Sequence, residues 1–184
     1  MSPAAKAPVY FGPFVVTQQV FYLTPLSFAL VNIKPLLPGH VLVSPIRRTA
    51  RFSDLTVAET TDLFLAIRRI SRMIERVYSA TSLNIAIQDG VHAGQSVPHV
   101  HAHIIPRKEA DLDSKGGTDA IYSMMDTEEG DIARFLHYRD IGMEFRTRAK
   151  FPSVDHESRV PRSDAEMTEE AEMLAEEMKK EPEE

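Results

Sequence analysis

The sequence predicts an α+β fold, a set of short strands with one long helix laid on them. Short β-type runs punctuated by Pro and Gly fill the chain up to about residue 106. A single long helical periodicity interrupts them, and strand and helix never alternate as a parallel α/β sheet requires. With 184 residues, 43% of them hydrophobic, the chain suits one domain with a sizeable core.

Apolar runs at 14–17, 20–23, 27–32, 41–44 and 83–88 read as strands, and Pro25, Pro35, Pro38, Gly39 and Pro45 cut them to length. The helix opens on Thr56 with Glu59 three residues later, a capping-box pattern. Leu63, Ile67, Ile70, Ile74 and Val77 then form one apolar stripe, which predicts about six turns packed on a sheet. Arg68, Arg69, Arg72 and Arg76 fall on the other faces and read as a solvated surface. Three segments follow: a core over residues 1–110, a flexible insertion over 111–161, and an acidic C-terminal helix and tail over 162–184. In the last, Met167, Ala171, Leu174 and Met178 make a thin helical stripe, expected to dock loosely on the body or on a partner subunit.

Composition removes several functions. No apolar run approaches the ~18 residues of a membrane span, and the first twenty residues do not read as a secretory signal. Cysteine is absent, which excludes disulfides, thiolate metal sites and a thiol nucleophile, and fits a cytoplasmic, and also nuclear, location. Residues 164–184 carry ten Asp/Glu and two Lys, so the net charge of -6 leaves the remainder at +2. No stripe of basic and aromatic residues suggests a nucleic-acid partner.

The chemistry concentrates in Pro98-His99-Val-His101-Ala-His103-Ile-Ile. Alternation of His with small apolar residues predicts a strand with three imidazoles on one face, roughly 6.5–7 Å apart. A structural strand has no use for that crowding. The rings either ligate a metal such as zinc or supply a covalent nucleophile with neighbours that handle substrate charge. The polar loop at 88–97, holding Gln88, Gly94, Gln95 and Ser96, favours the second reading, because its amides and hydroxyl suit phosphate oxygens and Asp89 is the only nearby carboxylate. His40, at the start of a strand after Pro38-Gly39, is a candidate to orient a catalytic ring. His92, His137 and His156 lack supporting context.

This run, with Gly94-Gln-Ser-Val97 before it, resembles the histidine triad signature. Ser27-Phe-Ala-Leu-Val-Asn32 and Leu37-Pro-Gly-His40-Val-Leu-Val are similar to the fragile-histidine-triad branch in particular, and the likeness runs over about residues 11–110. The resemblance implies an antiparallel sheet with a long helix on it, a homodimer in which two sheets become continuous, and hydrolysis of diadenosine triphosphate to AMP and ADP. It implies His101 as nucleophile and His103 on a nonbridging α-phosphate oxygen, with His99 and His40 holding the active ring. Asn32 would meet the nucleoside, Gln88 the ribose and phosphates, and Gly94, Gln95, Ser96 and Val97 would cradle the phosphates. Magnesium or manganese would arrive as a chelate of the polyphosphate, with no tightly bound cofactor. Competing expectations are a nucleoside phosphoramidase, a nucleotidyltransferase, a dinucleotide-binding signalling module with slow turnover, and a zinc-binding protein.

Overall fold

The computed structural model describes residues 7–127, 130–142 and 161–182. Strands β1 (Tyr10–Phe11) and β2 (Phe14–Val15) form a small hairpin around Gly12, whose φ of +55° suits a residue without a Cβ. A five-stranded sheet follows, built from β3 (Val20–Leu23), β4 (Ser27–Val31), β5 (Val41–Pro45), β6 (Ser82–Ile87) and β7 (Ala102–Arg107). Its order is β3-β4-β5-β7-β6, and every pair is antiparallel. The α+β class expected from the sequence is therefore observed.

Between β5 and β6 runs α1 (Val57–Tyr78). Thr56 and Glu59 close the capping box as the sequence pattern predicts, and Leu63, Ala66, Ile67, Ile70, Met73 and Ile74 are buried against the sheet. Glu59 does a second task. It takes a bidentate contact from Arg47, with Nε to Oε1 at 2.6 Å, and that guanidinium is the main cause that draws its carboxyl down to about 2. The pair ties the loop after β5 to the start of α1.

The sheet is covered on both faces, which is why β4, β5 and β7 are buried along their whole length. One face packs on α1 together with α4 (Asp164–Met178). On the other, Ile105 of β7 meets Leu112, Ile121, Met124 and Met125. These last three belong to α2 (Ala120–Asp126), and α3 (Ile132–Asp140) follows, with Ile132, Phe135 and Leu136 joined to the main core.

Three expectations need correction. The segment after residue 110 is not a flexible insertion over its first part: residues 111–127 and 130–142 fold into turns and the helices α2 and α3, because their scattered apolar residues cover a sheet face that would otherwise be wet. Residues 143–160, including His156, lie outside the described residues. The C-terminal helix is not loosely docked either. Met167, Ala171, Leu174 and Met178 are at most 3% exposed and belong to the main core, while Arg76 of α1 grips Glu177 and Glu181. Finally, 14–17 is not a continuous strand, since the chain turns at Thr17–Gln19 and pairs Phe14–Val15 with Tyr10–Phe11 instead. Among the described residues no helix is long and apolar enough to cross a membrane.

Truncating a buried leucine removes transfer energy and leaves a cavity, so Leu174→Ala should cost about 2–5 kcal/mol. Urea unfolding of the full chain measures this. A loss below about 0.5 kcal/mol, the range of ordinary surface substitutions, would show that α4 is peripheral to the core.

Candidate active site

The histidines sit where β7 begins. The expected strand through all three does not form: it starts at Ala102, so only His103 lies within it. Upstream the backbone is committed elsewhere. Pro98 has no N–H, the His99 amide donates to the Val97 carbonyl at 2.7 Å, and the Val100 amide donates to the Thr49 carbonyl at 2.7 Å. The imidazoles nevertheless converge. The ring centroids of His101 and His103 are 5.0 Å apart, those of His103 and His40 5.2 Å, and all four histidines are buried.

The hydrogen bonds fix which nitrogen of each ring carries a proton, because an amide can only donate and a carbonyl can only accept. The Leu36 amide donates to His40 Nδ1 at 3.1 Å. His40 therefore carries its proton on Nε2 and donates it to His103 Nδ1 at 2.9 Å. His103 must then carry its proton on Nε2, and that atom is buried with no partner among the described residues. His101 differs: its Nδ1 donates to the His99 carbonyl at 2.8 Å, which leaves Nε2 with a free lone pair. His99 is bonded at both ring nitrogens, accepting from the Gly12 amide at 3.0 Å and donating to the Pro45 carbonyl at 2.8 Å, and it stacks on Phe11.

Burial disfavours the charged form of His99, His101 and His103. It pushes His101 down to about 4, and it pushes His103 well below the usual range, with the neighbouring His101 and His40 adding to the effect. His99 is lowered for the same first reason. The site thus presents a neutral lone pair on His101 beside a neutral N–H on His103.

Asn32, His40, Gln88 and His103 are brought together around one cavity, with Met125 and Ile132 on its outer wall. Asn32 Nδ2 lies 3.5 Å from His40 Nδ1 and 3.4 Å from Nε2, and Asn32 Oδ1 accepts from the Lys34 amide. The cavity measures about 10 Å³, room for about one water, since α2 and α3 close over it. Lys34 holds α3 there, its ammonium 4.4 Å from the centre of the Phe135 ring.

The rest of the expected phosphate loop does not line this cavity. Gly94, with φ +88°, lets the Gln88 amide lie against it: a Cβ there would come within 2.4 Å of Gln88 Nε2. Gln95 braces the loop, accepting from the Gly90 amide and donating to the Ala50 carbonyl. The Ser96 hydroxyl accepts from the Ala133 amide at 3.4 Å near the start of α3, and Val97 is a fully buried core residue beneath Gly12. Asp89 pairs with Arg51 and is no ligand candidate. His40 is hydrogen-bonded to the His103 ring, and His99 reaches His101 through its backbone carbonyl. Leu36, Gly12 and Pro45 escaped sequence reasoning because they act through backbone groups that any residue carries.

A zinc site does not fit this arrangement. Six of the eight ring nitrogens of His40, His99, His101 and His103 are spent on the hydrogen bonds above.

Comparison with known proteins accords with this geometry. The HIT domain family model matches residues 14–110. The bis(5'-nucleosyl)-tetraphosphatase (asymmetrical) of Schizosaccharomyces pombe is 48% identical over 170 residues, covering 90% of this chain and 92% of that one. The bifunctional bis(5'-adenosyl)-triphosphatase/adenylylsulfatase of Arabidopsis thaliana is 49% identical over 127 residues, covering 68% and 69%. Among solved structures, the Plasmodium falciparum diadenosine triphosphate hydrolase in complex with cyclomarin A superposes with a TM-score of 0.67 at 26% identity, covering 98% of this chain and 90% of that one.

Acid should destabilise the fold through this site. The unfolded pKa of a histidine is ~6.5 and the folded value of His101 is about 4. Between them the unfolded chain binds a proton that the folded one does not, so stability falls as pH drops through that window. Urea unfolding at pH 7, 5.5 and 4.5 should show this slope, shallower in His101→Gln. An identical slope in both proteins would contradict the depressed value.

Proposed function

The chain belongs to the HIT domain family, and from this site we propose that it hydrolyses dinucleoside polyphosphates, diadenosine triphosphate to AMP and ADP in particular, through a nucleotidyl-histidine intermediate. The observation that carries the reading is the pairing of a bare His101 Nε2 with a spare His103 Nε2–H. One can attack phosphorus while the other neutralises a nonbridging oxygen.

In the first step His101 Nε2 forms a bond to the α-phosphorus, the anhydride bond to the bridging oxygen breaks, and ADP leaves. His101 becomes positively charged, and the His99 carbonyl on its Nδ1–H is placed to stabilise that charge. In the second step water attacks the same phosphorus, the P–N bond breaks, the proton lost by the water passes to solvent or a phosphate oxygen, and AMP leaves with His101 restored as the neutral Nδ1–H tautomer. Both transition states gather negative charge on the same oxygens, where the His103 donor acts twice. A neutral donor suffices, so the relay never needs to protonate inside the core.

Magnesium or manganese fits as a chelate of the polyphosphate and not as a resident ion, because the ring nitrogens left free are the two the reaction uses. Admission of a nucleotide requires more than this cavity, since small-molecule sites occupy roughly 300–1,000 Å³. Substrate entry therefore calls for room beyond that left between α2, α3 and the histidines. A homodimer fits the exposed edge strand β6, where a second copy could add its own β6, and where Ile85 is 49% exposed. The tetraphosphatase name of the fission-yeast relative keeps polyphosphate length open to test.

Turnover of diadenosine tri- and tetraphosphate in ¹⁸O water tests the reading. AMP should be one product with each substrate, and the label should enter AMP. A base-stable, acid-labile nucleotidyl adduct should be trapped on His101, with retention at a chirally labelled α-phosphorus. Inversion would sink the covalent route and point to a single attack by activated water. His101→Gln should remain folded and lose at least about a thousandfold in kcat; retention of a few percent of activity would refute the nucleophile. Gly94→Ala should raise KM more than it lowers kcat, because it displaces Gln88 from the substrate side while leaving both reacting rings in place. An unchanged KM would remove Gln88 from the binding site.

A further inference from the structure

We propose that Arg162, ion-paired to Glu170 of α4, is a positioning residue for the histidine relay, so that the C-terminal helix acts on the chemistry and not only on the core. The proposal rests on the catalytic reading above and names a new participant in it.

Asn32 is the first residue past β4, and the last pair of the β4–β5 ladder is Val31 with Val41. Its carbonyl therefore lies beyond the last paired position of the ladder. Arg162 meets it there, with Nε 3.1 Å from the Asn32 oxygen and Nη2 donating to it as well, while its own amide donates to the Ile33 carbonyl at 2.8 Å. A planar guanidinium giving two parallel donors to one carbonyl fixes that peptide in both position and tilt. The Asn32 side chain is what lies against both ring nitrogens of His40.

The same cluster holds His40 from its other side. Arg162 Nη1 is bonded to Glu170 Oε2, and Glu170 Oε1 accepts from the Tyr78 hydroxyl at 2.8 Å. The Tyr78 ring fills the place where a side chain on Gly39 would stand, 2.5 Å from a Cβ built there, and Gly39 immediately precedes His40. Burial and the Glu170 charge push the Tyr78 phenol up, so it stays a donor. Asn32 and the His40 turn are thus gripped by one ion-paired cluster, and His40 sets the tautomer of His103. Arg162 and Glu170 side chains are 19% and 16% exposed, a setting in which an ion pair adds little net stability, so geometry is the larger part of what this pair contributes.

The experiment compares wild type, Arg162→Met, Arg162→Lys and Leu174→Ala as full chains at a temperature where all four are folded. It reads kcat and KM for diadenosine triphosphate, and the His40 ring N–H resonance without substrate. Arg162→Met should lower kcat by about tenfold or more, as small misplacements of reacting groups do, and should shift or broaden the His40 signal. Arg162→Lys should recover part of both. Leu174→Ala, destabilised through the core, should keep kcat and the His40 signal near wild type. An unchanged kcat and His40 signal in Arg162→Met would overturn the proposal, as would an equal loss of kcat in Leu174→Ala. Should wild type turn over neither dinucleotide while Arg162→Met still shifts the His40 ring, the positioning role stands and the hydrolase reading fails.

Discussion

The donor side of this site depends on one hydrogen bond from a backbone amide. Leu36 N–H can only donate, so His40 must accept on Nδ1, and each later ring in the relay has its proton assigned in turn. The result is a donor at His103 Nε2 that has no partner among the described residues. A buried donor without a protein partner is costly, and beside the open lone pair of His101 it is placed to meet an incoming acceptor. A phosphate oxygen is such an acceptor.

Burial supplies the second constraint. Cationic imidazoles would attract phosphate more strongly, yet a protonated His101 could not attack. The fold resolves this in favour of nucleophilicity by burying the rings, with Phe11 of β1 against His99 and His101 and with Met125 of α2 and Ile132 of α3 around the cavity at His40 and His103. Hydrogen-bond geometry then supplies the oxyanion donor without a formal charge. The closed cover has a consequence for access: the 10 Å³ cavity admits no nucleotide, so this arrangement belongs to the resting chain.

Much of this was legible in the sequence, for identifiable reasons. Side-chain periodicity marks elements that bury one face, hence the agreement for α1 and for the stripe of α4. The triple histidine is legible because crowding three titratable rings has no structural use. What stayed hidden depends on the backbone or on distant packing. The alternation 99–103 has strand period, but Pro98 and the Thr49 contact keep β7 from starting before Ala102. Residues 111–142 look loop-like because their apolar residues cover a sheet face sparsely, without a regular stripe. Arg162 is 130 positions from Asn32, and no local pattern announces that contact.

The central claim is that the resting site holds two neutral rings of opposite tautomer. Long-range ¹H–¹⁵N correlation on histidine-labelled protein at pH 7, with His101→Gln and His103→Asn to assign the signals, measures it directly. The account predicts His101 protonated on Nδ1 alone and His103 protonated on Nε2 alone. An imidazolium pattern for either ring, or the same tautomer in both, would contradict it.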